Sequence, residues 1–260
     1  MFAIDITNLG GNFQRYFQIV PALTEELREH AYRIRHQVYC DELKFEPRRP
    51  DCRELDEYDV HSLHCLIRSL KTGTYVGCTR LILTKPEAPY CELPFERTCA
   101  GTLDRSLADP QMMPRRRIAE VSRLAVISDY RMRRGERRMS IPLNEESFGT
   151  KQRPRFPYIP VGLYLATIEL AAAHGIDTLF MLTEDRLAKH FARLGVQIKQ
   201  IGGPVEHRGV RVPSMVRVRS VIEGLNFIMR PLYRVIAEQV RCGVAAQRGL
   251  PSREVLDSAY

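Results

Sequence analysis

Two kinds of charged residue occupy positions that could do chemistry. Carboxylates gather in Glu54-Leu55-Asp56-Glu57-Tyr58-Asp59, and another, Glu120, opens the run Glu120-Val121-Ser122-Arg123-Leu124. A positioned carboxylate can accept a proton in group transfer. Arginines form the second set. Arg35 heads Arg35-His36-Gln37-Val38-Tyr39, with Phe45 shortly after it, and Arg80 stands in Gly77-Cys78-Thr79-Arg80-Leu81. Arg80 and Arg123 fall in strand-like runs, and arginine is rarely buried unless paired. Each is therefore expected to meet one of the acids, shaping a site and able to hold a substrate carboxylate. Ser122 is expected to satisfy a backbone group. Tyr39 and Phe45 read as core. Taken alone, residues 41–59, with eight acids against four bases, would be a solvated loop.

Elements must hold these residues in place. From Pro21 to Tyr39, Leu23, Leu27, Ala31, Ile34 and Val38 recur at helical spacing, and Thr24 with the acids after it supplies a start signal. Two runs, SLHCLIRSL and TYVGCTRLILT, separated by KTG within 62–84, predict an antiparallel hairpin with Arg80 on its second strand. Residues 85–116 show little regular pattern. The next strand, RIAEVSRLAVI over 117–127, carries Glu120, Ser122 and Arg123 in a register that alternation leaves open. A long basic connection spans 128–157, a length that in compact domains goes with function or disorder. An apolar helix over 158–174 follows, closed by Gly175. Then come a buried strand over 177–183, a short helix over 186–194, strands over 196–201 and 210–218, and an amphipathic helix over 225–240. A strand, an apolar helix and another strand make a crossover unit with a sheet covered on both faces. The fold class is α/β, with α+β character, in one domain. An N-terminal extension occupies 1–20, the domain 21–220, and a C-terminal helix and tail 221–260.

Composition narrows the function. The 260 residues are 44% hydrophobic and 27% charged, an ordinary globular mix. The net charge of +8 is concentrated, because nine arginines between Arg115 and Arg138 face only Glu120, Asp129 and Glu136. Only Tyr130 and Phe148 interleave with this cluster, tryptophan is absent and no binding motif occurs, so nucleic acid is not expected as a partner. The seven cysteines are never closer than eight residues and form no C-x-x-C pair, which suits reduced thiols rather than a metal site. No apolar run approaches the roughly 18 residues that span a bilayer, and the first residues lack a secretory pattern. The expected location is the cytoplasm. Leu225, Ile228, Leu232, Val235, Ile236 and Val240 would form the apolar face of the last helix, expected on the core, with weak membrane association as an accessory use.

The ordered set of short motifs resembles the acyl-homoserine-lactone synthases and the related N-acyl amino acid synthases. Their shared pattern runs R-x-x-V-[FY], an aromatic residue, E-x-D-x-[FY]-D, G-x-x-R-L and E-x-S-R, and all five pieces occur in order across residues 35–124. Acyltransferases encoded beside exosortase (PEP-CTERM) protein-sorting systems are similar further on. Tyr158-Ile159-Pro160 through Ala166, and Gly203 through Pro213, look like their later segments.

The resemblance implies the GNAT superfold: a single domain with a mixed central sheet, a V-shaped cleft between splayed strands, and helices on both faces. It implies transfer of a fatty acyl group from a carrier thioester to the amine of an amino acid, with homoserine-lactone synthesis from S-adenosylmethionine as the alternative. Such a reaction needs a proton acceptor for the amine and a donor for the tetrahedral oxyanion, usually a backbone N–H at a bulge. Glu120 is implied as the general base, with Ser122 and Arg123 beside it. Arg35, Tyr39, Phe45, Glu54, Asp56, Asp59 and Arg80 are implied around the substrate. In this superfold R-x-x-G-x-[GA] binds the pyrophosphate of coenzyme A. Here Arg131-Met132-Arg133-Arg134-Gly135-Glu136 has its glycine one place late and no second small residue. The implied donor is therefore acyl carrier protein, an acidic partner that Arg131, Arg133, Arg134, Arg137 and Arg138 would steer to the pantetheine entrance, with acyl-CoA as the other possibility. No tightly bound cofactor and no metal are expected.

Overall fold

A computed structural model describes residues 8–85, 87–131, 149–150, 153–154, 157–184, 188, 191–192 and 195–247. The N-terminal helix α1 (Leu9–Tyr16) runs directly into strand β1 (Phe17–Pro21). Helix α2 (Glu25–Arg35) follows, where the Thr24 hydroxyl accepts from Leu27 N–H at 3.3 Å and Glu25 and Glu26 occupy the first turn. It passes into a π-helical turn over His36–Glu42. One extra residue per turn is rare and is often found at functional sites. Here it turns Val38 and Tyr39 inward, and both are buried.

Strands β2 (Ser62–Ser69) and β3 (Tyr75–Leu83) form the expected hairpin. A short helix, α3 (Pro94–Thr98), lies in the irregular stretch before β4 (Ile118–Val126), and one turn, α4 (Ser128–Arg131), follows it. A separate pair, β5 (Gly149–Thr150) and β6 (Arg153–Pro154), precedes α5 (Tyr158–Ala173). Then come β7 (Thr178–Thr183), β8 (Lys199–Gln200), β9 (Val205–Glu206), β10 (Val210–Arg217), α6 (Val218–Gly224) and α7 (Arg230–Gln247).

The sheet order is β1-β2-β3-β4-β7-β10-β8, with β9 on the far part of β10. Every pairing is antiparallel except β4 with β7. Helix α5 is buried from Ile159 to Ala171, which explains its apolar composition all round. One side packs on β2 and β3, the other on α6 and α7. At Gly77 of β3 a Cβ would sit 2.9 Å from the Ala125 carbonyl, so only glycine allows this approach of strand to strand beneath α5. Helix α2 and the π-helical turn after it cover the opposite face through Ala31, Ile34 and Val38. This is a single GNAT-like domain with helices on both faces of a mixed sheet.

Several elements differ from their sequence patterns. The strand expected over 196–201 shortens to Lys199–Gln200, and the helix expected over 225–240 is α7, which starts at Arg230 and runs to Gln247, with a further helix, α6, before it. The boundary at residue 20 falls inside β1, which pairs with β2 from Phe17 to Pro21, while α1 packs on α7. The apolar face of the last helix is spent on the core. Leu225, Leu232, Ile236 and Val240 are buried, with Ile228 and Val235 packed against them, so that face is not offered to a membrane. No described helix is long and apolar enough to cross one. All seven cysteines are unpaired.

Candidate active site

Strand β4 begins as a regular neighbour of β7 and then leaves it. Parallel pairing holds only for Ile118, Ala119 and Glu120 against Thr178, Leu179 and Phe180. On the β3 side, Cys78 pairs with Ala125 and Arg80 with Ser122, so Arg123 and Leu124 together face Thr79. That is a β-bulge, and Arg123 adopts φ +53° within it, an unusual conformation for a side chain other than glycine. The bulge bends β4 away from β7 and opens a wedge. A cavity of about 680 Å³ fills it, lined by both strands, by α5 and by the β9–β10 turn.

The cavity crosses the sheet. Side chains alternate along β4, so Glu120 and Ser122 line one half with Asp56, Arg80 and Arg97. Val121 lines the other half with Tyr164, Met181, Phe191 and Ile198. The first half is polar and charged; the second is largely apolar.

Three arginines and three acids build the floor of the polar half. Arg35, wholly buried, donates to Glu54 Oε2 at 2.5 Å and to both oxygens of Asp59 at 2.6 and 3.0 Å. Arg80 donates to Asp56 at 2.6 and 3.0 Å, to Asp59 at 2.9 Å and to Ser122 Oγ at 3.1 Å. Arg123 donates to Glu54 at 3.0 Å and to Asp56 at 3.1 Å. The charges balance, which lets the group lie inside the protein. Burial would raise Glu54 and Asp59, but the arginines outweigh it and hold both below the usual carboxylate range. His64 lies 3.4 Å from Asp59, and burial together with the Arg35 charge pushes it down to about 3, so it is neutral.

Glu120 stands apart from this cluster. It is buried and makes no ion pair among the described residues. Its Oε2 accepts from the backbone N–H of Phe95 at 2.8 Å, a donor left over at the start of α3. Glu96 fixes α3 there. Its carboxylate takes Leu93 N–H at 2.9 Å, Arg115 Nη2 at 2.8 Å and Gln111 Nε2 at 2.7 Å. Burial pushes Glu120 up to about 7; the Phe95 N–H and the Arg80 and Arg123 charges oppose the rise without cancelling it. A carboxylate at a cavity wall, balanced between its two protonation states near neutral pH, is well suited to accept a proton from an amine.

The structure thus brings Glu120, Ser122, Arg123, Tyr39, Phe45, Asp56 and Arg80 to the lining of one cavity. Arg35, Glu54 and Asp59 do not line the cavity: the two acids hold Arg80 and Arg123, and Arg35 holds the two acids. Tyr39 donates to the Leu124 carbonyl at 3.0 Å, which ties the π-helical turn to the bulge. Arg131 is turned inward onto Glu42 at 2.9 Å. Arg133, Arg134, Arg137 and Arg138 lie outside the described residues. Sequence patterns did not single out Arg97, Tyr164, His207, Arg208 or Arg211 as cavity residues. His207 and Arg208 sit on the β9–β10 turn and Arg211 at the start of β10; Arg208 pairs with Glu46 and Arg211 with Glu184 at 2.6 Å.

A splayed parallel strand pair beside a bulge, with a carboxylate at the wedge, is a GNAT-like arrangement. Residues 34–140 match the family model of the acetyltransferase (GNAT) domain. Among solved structures, the acyl-homoserine-lactone synthase LasI aligns at 19% identity over 81% of this chain and 95% of its own, with a TM-score of 0.53. BjaI, a CoA-dependent acyl-homoserine lactone synthase solved with SAM and isopentyl-CoA, aligns at 21% identity over 91% and 90%, TM-score 0.52. FeeM, an N-acyl amino acid synthase from uncultured soil microbes, aligns at 15% identity over 82% and 97%, TM-score 0.52. At these identities the likeness shows the fold. No curated protein sequence matches the chain.

Proposed function

We propose that the protein transfers a fatty acyl group from a carrier thioester to the amine of an amino acid. The observation that carries this reading is Glu120: a buried carboxylate, raised to about 7, on the wall of a cavity that is charged on one side of the sheet and apolar on the other. The acyl chain would occupy the apolar half and the acceptor the polar half. The acceptor ammonium gives a proton to Glu120, its nitrogen attacks the thioester carbonyl, and a backbone N–H of the 123–124 bulge supports the oxyanion. A C–N bond forms, the C–S bond breaks, a second proton passes from the nitrogen to the sulfur, and the carrier leaves as the thiol. Arg80 and Arg123 are paired with the buried acids, Arg208 with Glu46 and Arg211 with Glu184, which leaves Arg97, exposed and 3.7 Å from Glu57, as the cavity cation suited to an acceptor carboxylate.

Acyl carrier protein is the proposed donor protein. With Arg131 committed to Glu42, Arg133, Arg134, Arg137 and Arg138 are the arginines proposed for its docking. Acyl-CoA is the other donor. The experiment is to incubate the protein with acyl chains on either carrier and a pool of amino acids plus S-adenosylmethionine, then identify products by mass spectrometry. Acylated amino acids support this reading. Acyl-homoserine lactones would assign the alternative acceptor, and no thiol release from any donor would overturn acyl transfer.

A further inference from the structure

The wedge has a closed end and an open one. Pairing of β4 with β7 ends at Glu120 and Phe180, and beyond it the strands part toward Leu124 and Thr183. A thioester carried in through the open end has its sulfur on the side of the carbonyl away from Glu120. The β9–β10 turn lines that end and brings to it His207, the one histidine among the described residues of the lining. Its side chain is half-buried, yet both ring nitrogens keep accessible surface and make no hydrogen bond among the described residues. Burial and the charges of Arg123 and Arg211 push His207 below the ordinary 6.5, so the ring is neutral at neutral pH. Arg123 belongs to the bulge, which sets the imidazole near the expected place of the reacting carbonyl. The tyrosines at this end are committed. Tyr39 donates to the Leu124 carbonyl and is pushed up to about 12 by burial, and the Tyr164 hydroxyl is closed off.

Resting on the reading that an acyl group passes from a thioester to an amine, we infer that His207 is a catalytic residue that carries the second proton from the attacking nitrogen to the departing sulfur. Those two atoms share one tetrahedral carbon, so a single ring nitrogen can serve both in turn. The neutral imidazole takes the proton from the nitrogen and becomes imidazolium. It gives that proton to the sulfur as the C–S bond breaks, and the ring ends as it began. The first proton stays on Glu120. Arg123 and Arg211 disfavour the imidazolium, which makes it a stronger acid toward the thiolate. Two titratable groups then divide the work, Glu120 at the closed apex and His207 at the open mouth.

The test places one acyl chain on thiols of rising acidity, from N-acetylcysteamine to thiophenol, beside acyl carrier protein and coenzyme A. A pool of amino acids serves as acceptor, and thiol release above the enzyme-free rate is the readout. An alkyl thiol needs a proton as it leaves, whereas thiophenol departs readily as the anion. His207→Gln should lower kcat with the alkyl, carrier and coenzyme A thioesters by about 100-fold, the low end for general acid–base catalysis, with donor KM unchanged. With the thiophenol ester the loss should be several-fold smaller. The variant should melt at the native temperature, since a half-buried side chain without a hydrogen bond has been replaced. An equal loss with every donor, a loss confined to KM, or no loss would each overturn the inference while leaving acyl transfer standing. Thiol release from none of the donors by the native protein would overturn acyl transfer, and the inference with it.

Discussion

The backbone N–H of Phe95 donates to Oε2 of Glu120 at 2.8 Å, so the short helix α3 fixes the orientation of the carboxylate that β4 supplies. The hydrogen bond favours the charged form while burial disfavours it, and burial wins. The result is a group near the midpoint of its titration at neutral pH. That balance has separable consequences for rate and for stability.

For rate, a base must be deprotonated to act. We expect kcat/KM to rise with pH through an apparent midpoint near 7 and then level off, measured with a donor that itself does not titrate in that range. Glu120→Gln should lower turnover by about 100-fold or more and leave the affinity for the carrier unchanged. Unchanged turnover in this variant would remove Glu120 from the mechanism.

Stability should respond in the opposite sense. Because the folded value of Glu120 lies above the ordinary 4.5, the native state holds the proton more tightly than the unfolded chain, and stability falls as pH rises from about 4.5 through 7. Glu120→Gln keeps the acceptor for Phe95 N–H and removes the buried charge. Thermal melts at pH 8 should show it more stable than the native protein by up to about 3 kcal/mol, with the difference vanishing near pH 4. Equal melting temperatures at both pH values would mean that the carboxylate is not desolvated.

Arg35 has a structural role that substrate contact does not require. Arg35→Met would leave Asp59 and Glu54 short of a cation in the interior, a loss of about 3–5 kcal/mol for a broken buried pair. Urea titration should report it as a lower midpoint. A midpoint within error of the native value would show that the cluster rearranges around the loss.

His64 gives the fold an acid limit. Its folded value of about 3 lies below the ordinary 6.5, so the unfolded chain takes up a proton that the native state refuses, and stability is lost as pH falls from 6.5 toward 3. By pH 5 the loss should be about 2 kcal/mol. His64→Gln should flatten that slope between pH 6.5 and 5. A slope unaltered by this substitution would assign the acid sensitivity to other groups.

For the carrier, the donor KM should rise with salt, because exposed charges are screened beyond a Debye length of about 10 Å at 0.1 M. Arg133→Ala combined with Arg134→Ala should raise the donor KM at low salt and weaken its salt dependence. A KM independent of salt would argue against electrostatic docking.

Much of this arrangement was legible in the sequence. Alternation over 62–84 and 117–127 located β2, β3 and β4, and an apolar run with Gly175 behind it located α5. The need of a buried arginine for a partner led from Arg80 and Arg123 to the acids, without saying which acid each would meet. What stayed hidden had physical reasons. Strand β1 has five residues ending in proline, too few for a period to show. The Phe95 N–H is a backbone donor, which no side-chain pattern reveals. Tyr164 stands in a helix apolar on every side, where one more aromatic residue looks like core. Arg208 and Arg211 reach the cavity only because the β9–β10 turn folds back over it.

The three-residue pairing of β4 with β7 divides the sheet into two leaves, β1 to β4 and β7 to β10, joined along a narrow seam, with α5 packed on the first. Substrate capacity then becomes a mechanical property. On the proposed reading, a longer acyl chain would have to spread the leaves, and the seam would resist it. Selection for chain length could therefore act at Ala119 or Leu179, out of reach of any substrate atom.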